Sequence, residues 1–268
     1  MAEESTPTSP HALARRRRLL LLAALLLIVI GSIAAVAASV IGPGGASTAP
    51  AASPGPAASP PPTATPESSD SPLPAGTAVA VFLGDSYTQG FGASSPVTRW
   101  STLVAQEAGW TEVNKGQGGT GYVTTAGAVN CGHQHCPTYP DRVADVIAAA
   151  PDIVVVAGGQ NDRWVLDTDP DLVHAAVDET FRHLRAGLPH ARLIAVGPST
   201  AEPATTMITD LDGWVHAAAN RVDAEYVSLL DPRVIRADMV VADGVHVNDA
   251  GHRAIADRVL ATVLTRAD

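Results

Sequence analysis

Past residue 77 the chain alternates between short apolar runs and longer amphipathic stretches. Five runs predict strands: "AVAVFL" (78–83), "WTEVN" (110–114), "DIVVVAG" (152–158), "ARLIAVG" (191–197) and "AEYVSLL" (224–230). The third is continuous and β-branched, the pattern of a strand covered on both faces. Between the runs the period changes to helical. Trp100, Leu103, Val104 and Ala108 share one face of "VTRWSTLVAQEAG" (97–109). "DRVADVIAAA" (141–150) stops at Pro151, and "DLVHAAVDETFRHLRAGL" (171–188) follows Pro170. Residues 205–223 also read as helix, and 248–266 open on Asn248 as a candidate N-cap. Strands separated by helices predict an α/β domain with a five-stranded parallel sheet and helices on both faces. Ligands of such sheets bind beyond the carboxyl ends of the strands. Those ends carry Gly84-Asp85-Ser86, the Lys115–Gly121 loop, Gly159–Asp162 and the chain after Asp231.

The first 77 residues follow another pattern. Residues 1–18 are polar and end in "RRRR", and residues 19–41 are apolar without a charge. As a helix that run spans about 30 Å, enough to cross a bilayer. Arginines just before it predict a cytoplasmic N-terminus and everything after Ile41 outside the cell. A cleaved signal, with Ala35-Val36-Ala37 at the cut, would give a secreted protein instead; the run is longer than the usual signal core, which favours a retained anchor. Residues 42–77 are dominated by Pro, Ala, Ser, Gly and Thr and predict a disordered linker between the membrane segment and a domain at 78–268.

Charge narrows the partners. The first 77 residues hold four arginines and four acids, so residues 78–268 keep all of the formal −10. So acidic a domain gives no support for nucleic-acid binding. The two cysteines, Cys131 and Cys136, stand in "CGHQHCP". Outside the membrane a close pair predicts a small disulfide. The interior His133 and His135 match no usual zinc spacing, so no metal is expected.

The candidate chemistry lies at the strand ends. A serine hydroxyl needs a base to become a nucleophile, and the base needs an orienting group. Ser86 stands just after the end of the first strand, and "DGVHVN" supplies Asp243 and His246 three residues apart. Asp231 is another acid nearby, but the D-x-x-H spacing favours Asp243. A tetrahedral intermediate also needs donors for its oxyanion. The loop "NKGQGGTG" (114–121) and Asn161 in "GGQND" offer them. Trp164 is a candidate aromatic wall, and the remaining histidines carry no paired signal.

Taken in order, Gly84-Asp85-Ser86, the glycine loop, Gly159-x-Asn161-Asp162 and Asp243-x-x-His246 resemble the SGNH (GDSL-type) hydrolase family over essentially all of 78–268. The resemblance implies a three-layer, flavodoxin-like α/β/α sandwich. It implies Ser86 as nucleophile, His246 as base and Asp243 as its partner. The oxyanion donors it implies are the Ser86 and Gly119 backbone N–H groups and the Asn161 amide. It implies no cofactor, and a small-molecule, glycan or lipid acyl ester as substrate. Two rival readings share these residues: an acyltransferase that passes the acyl group to a sugar hydroxyl, and a non-catalytic envelope-binding module.

Overall fold

The computed structural model describes residues 77–265. The predicted cytoplasmic segment (1–18), membrane span (19–41) and nearly all of the linker (42–77) lie outside the described residues. Among those described, no helix is long and apolar enough to cross a membrane.

Five strands form one sheet: β1 (Val79–Gly84), β2 (Thr111–Gly116), β3 (Ile153–Ala157), β4 (Arg192–Val196) and β5 (Glu225–Val227). Their spatial order is β2-β1-β3-β4-β5, and every neighbouring pair is parallel. Alternation along β1 explains why its run is apolar throughout. Val81 and Leu83 enter one core cluster, while Ala80 and Phe82 enter the other. β3 divides likewise, with Val154 and Val156 on one face and Ile153, Val155 and Ala157 on the opposite one. Both faces are covered, as the sandwich requires.

Eight helices complete the described residues: α1 (Ser86–Gln89), α2 (Trp100–Ala108), α3 (Ala128–Cys131), α4 (Tyr139–Ala148), α5 (Arg163–Leu166), α6 (Pro170–Gly187), α7 (Thr206–Arg221) and α8 (Asp249–Val263). α2 and α8 cover one face, where Trp100 meets Phe82 edge-on at 5.4 Å. α4, α6 and α7 cover the other through Val143, Phe181 and Leu211 among others. The Asn248 carboxamide caps α8 by accepting from Gly251 N–H at 3.2 Å.

Three details depart from the sequence pattern. β5 stops at Val227 rather than residue 230, because the Ser228 hydroxyl accepts from Leu230 and Asp231 N–H and turns the chain away. α2 starts at Trp100 rather than residue 97, because Pro96–Thr98 form a separate 3₁₀ turn. The short helices α1, α3 and α5, four residues each, carry too little periodicity to be read from sequence.

The chain runs from β1 outward to β2, then returns across β1 to β3. The strand order therefore reverses between β1 and β3, where a crevice opens beyond their carboxyl ends. Ser86 follows β1 and Asn161 follows β3.

Candidate active site

β1 ends on Gly84 and passes directly into α1. Asp85 caps that turn, its carboxylate accepting from Tyr87 N–H at 2.9 Å. Ser86 is thereby the first residue of α1, at the mouth of the crevice. It is 6% exposed, and its backbone N–H meets no protein acceptor among the described residues.

The glycine loop follows β2. Gly116 N–H donates to the Asn114 side chain, Gly118 N–H to Gln89 Oε1 and Thr120 N–H to the Gln117 carbonyl. Gly119 N–H is the one among these glycines left without a protein acceptor. Gly119 takes a positive φ of 76°, and a Cβ there would stand 3.0 Å from that of Asn130, so both conformation and space demand glycine. Asn161 donates to the Thr120 carbonyl at 2.9 Å. An amide nitrogen has two hydrogens, so this bond orients the side chain and leaves one N–H for a ligand.

His246 and Asp243 come from one exposed turn before α8. His246 Nδ1 lies 2.6 Å from Asp243 Oδ2, and Asp243 Oδ1 accepts from the Val245 and His246 N–H groups. The His246 hydrogen bond, reinforced by the two backbone donors, holds the Asp243 carboxyl down at about 2. An ionised Asp243 places the proton on Nδ1 and leaves Nε2 as an acceptor.

Ser86, Gly119, Asn161 and His246 line one cavity of about 260 Å³. No hydrogen bond joins Ser86 Oγ to His246 here; such contacts tighten when substrate binds. Trp164 does not line this cavity. It is 72% exposed, and Arg163 lines the wall instead, its guanidinium 4.9 Å from the Trp164 ring centre. Neighbours on a helical turn point about 100° apart, so only one of the two faces inward. Cys131 and Cys136 are joined as a disulfide next in the chain to Val129 and Asn130, which also line the cavity.

Several residues at the site have no signature in the sequence. The Tyr87 hydroxyl donates to the Val245 carbonyl at 2.6 Å, tying the turn that carries Ser86 to the turn that carries His246. Burial pushes the Tyr87 phenol up to about 12, so it remains a donor. Phe91 stacks on the His246 ring at 5.1 Å. Its carbonyl is held by buried His252, which accepts from Trp100 N–H through Nδ1 and donates through Nε2.

Beneath the cavity lie three buried charged residues. Asp162 accepts from the N–H groups of Tyr122, Val123 and Thr124 and from the Thr124 hydroxyl. Arg142 donates to the carbonyls of Gly84 and Lys115 and to Thr120 Oγ1. Asp85 Oδ2 accepts from Gln160 at 2.7 Å and sits so close to Gly158 that a Cβ there would fall 2.3 Å away. Burial raises the Asp85 carboxyl to about 6, against the Tyr87 hydrogen bond and the Arg142 charge. The adjacency of Asp85 to Ser86 and of Asp162 to Asn161 was the only available sign of this layer.

Residues 82–254 match the GDSL-like lipase/acylhydrolase family. A GDSL lipase of Mycobacterium tuberculosis is 29% identical over 187 residues, covering 66% of this chain and 78% of that protein. Est24, a carbohydrate acetylesterase from Sinorhizobium meliloti, superposes with a TM-score of 0.55 at 16% identity, over 70% of this chain and 99% of its own. TesA superposes at 0.54 and 19% identity, over 69% and 97%. The salicylyl-acyltransferase SsfX3 from a tetracycline biosynthetic pathway superposes at 0.55 and 16%, over 72% and 56%. At these identities the three solved structures share the fold.

Proposed function

The chain belongs to the GDSL-like lipase/acylhydrolase family, and from that premise we propose that it is an extracytoplasmic serine ester hydrolase. One observation carries the assignment of roles: Ser86, Gly119, Asn161 and His246 share a cavity, with Asp243 bonded to the far nitrogen of the imidazole.

Ser86 Oγ attacks the ester carbonyl while His246 Nε2 takes its proton. The imidazolium that forms is stabilised by Asp243 through Nδ1–H. Negative charge gathers on the former carbonyl oxygen. The Ser86 and Gly119 N–H groups and the free Asn161 N–H hold it, with no reorganisation at the moment of reaction. The tetrahedral intermediate collapses, the alcohol leaves with the proton from His246, and an acyl-serine remains. Water, deprotonated by His246, then attacks the acyl carbon and releases the acid and Ser86.

Location and substrate rest on other support. The uncharged 19–41 run after four arginines favours a membrane-anchored or secreted enzyme, and a disulfide favours an oxidising compartment. An anchored enzyme on a long linker meets esters of the cell envelope, so O-acyl groups of envelope glycans are the substrates to try first, followed by small and lipid esters.

The test is acid release from p-nitrophenyl acyl esters and acetylated sugars by wild type and Ser86→Ala. Wild type is expected to cleave, with turnover lower by at least about 10⁴-fold in the variant. Equal cleavage by both would reduce Ser86 to a turn residue. Addition of a sugar acceptor separates hydrolysis from transfer: product that shifts from free acid to acylated sugar identifies a transferase.

A further inference from the structure

The lining of the catalytic cavity differs in charge from the rest of the domain. Residues 78–268 carry all of the formal −10, yet no aspartate or glutamate lines the cavity. The nearest carboxylates are engaged elsewhere: Asp85 with Tyr87 N–H and Gln160, Asp162 with the loop at 122–124, and Asp243 with His246. What faces the cavity is rich in donors, including Asn130, Asn161 and Gly119, together with one guanidinium, that of Arg163.

Arg163 is unlike the other arginines. Among the described residues every other arginine hydrogen-bonds to the protein: Arg99 and Arg192 to glutamates, for example, and Arg142, Arg185 and Arg258 to backbone carbonyls. Arg163 makes no hydrogen bond or ion pair there. Its guanidinium lies over the Trp164 face, at 4.9 Å. Stacking of this kind orients a guanidinium and leaves its N–H edge free, an edge that fits a carboxylate or phosphate. Arg163 also lines an adjoining cavity of about 270 Å³, which shares Tyr87, Gln160 and Val245 with the catalytic one. It stands where the two meet, with Glu202 only in the adjoining cavity.

We propose that Arg163 is a specificity residue that selects acyl esters bearing an anionic group, a carboxylate or a phosphate, in reach of the catalytic cavity. This rests on the hydrolase reading of the same site. The anion takes the place of the carboxylate partner that the protein does not supply.

The test uses the full-length protein and three aryl acetates on one ring: 4-acetoxybenzoate, its methyl ester and 4-acetoxyphenyl phosphate. The quantity read is kcat/KM for each anionic ester relative to the neutral one. Comparison of that ratio between wild type and Arg163→Gln cancels the intrinsic reactivity of the esters. The ratio is expected to be about fivefold higher in wild type, the size of an exposed charge pair, and to shrink with added salt. Arg163→Lys should retain part of it, as a point charge without the fork. The ester with the larger dependence on Arg163 identifies the anion as carboxylate or phosphate. An equal ratio in wild type and Arg163→Gln overturns the proposal, including the case where both activities fall together. Wild type that cleaves none of the three, the neutral ester included, overturns the hydrolase reading and this proposal with it.

Discussion

Aspartates occupy two opposite settings at this site. Asp85 and Asp162 lie beneath the cavity, where burial raises both carboxyls, Asp85 to about 6. Asp243 sits in an exposed turn, where the hydrogen bond from His246 holds its carboxyl at about 2. Residue type is the same and the shifts have opposite signs. The buried pair collects backbone N–H groups and shapes the loops that carry Gly119 and Asn161. The exposed one collects an imidazole and sets its tautomer. On the proposed mechanism the buried pair serves as scaffold and the exposed aspartate serves proton transfer, with the Tyr87 bond to Val245 and the Phe91 stack on His246 joining the two.

Substitutions can break either side. Of the aspartate substitutions, Asp243→Asn should be the most severe for turnover, with kcat lower by roughly 10³- to 10⁴-fold, because an amide no longer fixes the imidazole tautomer. Stability should barely change, since the side chain is half exposed. Ester kinetics beside urea unfolding measure this, and an active Asp243→Asn would return Asp231 to consideration.

Asp162→Ala reverses the balance. It leaves three backbone N–H groups without their acceptor, while the Thr124 hydroxyl keeps the Asn161 carbonyl. A loss of roughly 3 kcal/mol or more in urea unfolding follows, with the Gly119 loop disordered as a consequence. Unchanged stability would show that water replaces the carboxylate.

Tyr87→Phe tests the link between the two settings. It removes the bond to the Val245 carbonyl and keeps the ring beside His246. kcat should fall about tenfold, equal to ~1.4 kcal/mol, with KM nearly unchanged. A rise in KM alone would place Tyr87 in substrate binding instead.

The smallest effect is a pH slope. The Asp85 carboxyl rises from an ordinary 3.8 to about 6 in the folded chain. Between those values the folded state holds more protons than the unfolded one, so this group's contribution to stability falls as pH rises through the window. Asp243 has the opposite sign: its contribution is present above its ordinary value of 3.8 and is lost as pH falls toward about 2. It is reduced by solvent screening. Urea unfolding from pH 4 to 7 should show a steeper fall in wild type than in Asp85→Asn, where Asp162, also raised by burial, still contributes with the same sign; parallel curves would sink the assignment.

The β1 and β3 runs determined by themselves that a sheet would be covered on both faces, because alternate residues of an all-apolar strand face opposite sides. Gly84-Asp85-Ser86, Asn161 and Asp243-x-x-His246 were visible because each stands at a strand end or in a short local spacing. Tertiary structure decided the rest. Nothing local relates Tyr87 to Val245, 158 positions apart, or separates Gly119 from Gly118, whose N–H group is engaged by Gln89. Nor does a sequence show that Arg163 alone among the described arginines lacks a partner, or that it faces the cavity where Trp164 turns away. Hydrophobic period and turn chemistry act over a few residues and are written in order along the chain. Hydrogen-bond satisfaction and burial are settled only when strands distant in sequence become neighbours in the sheet.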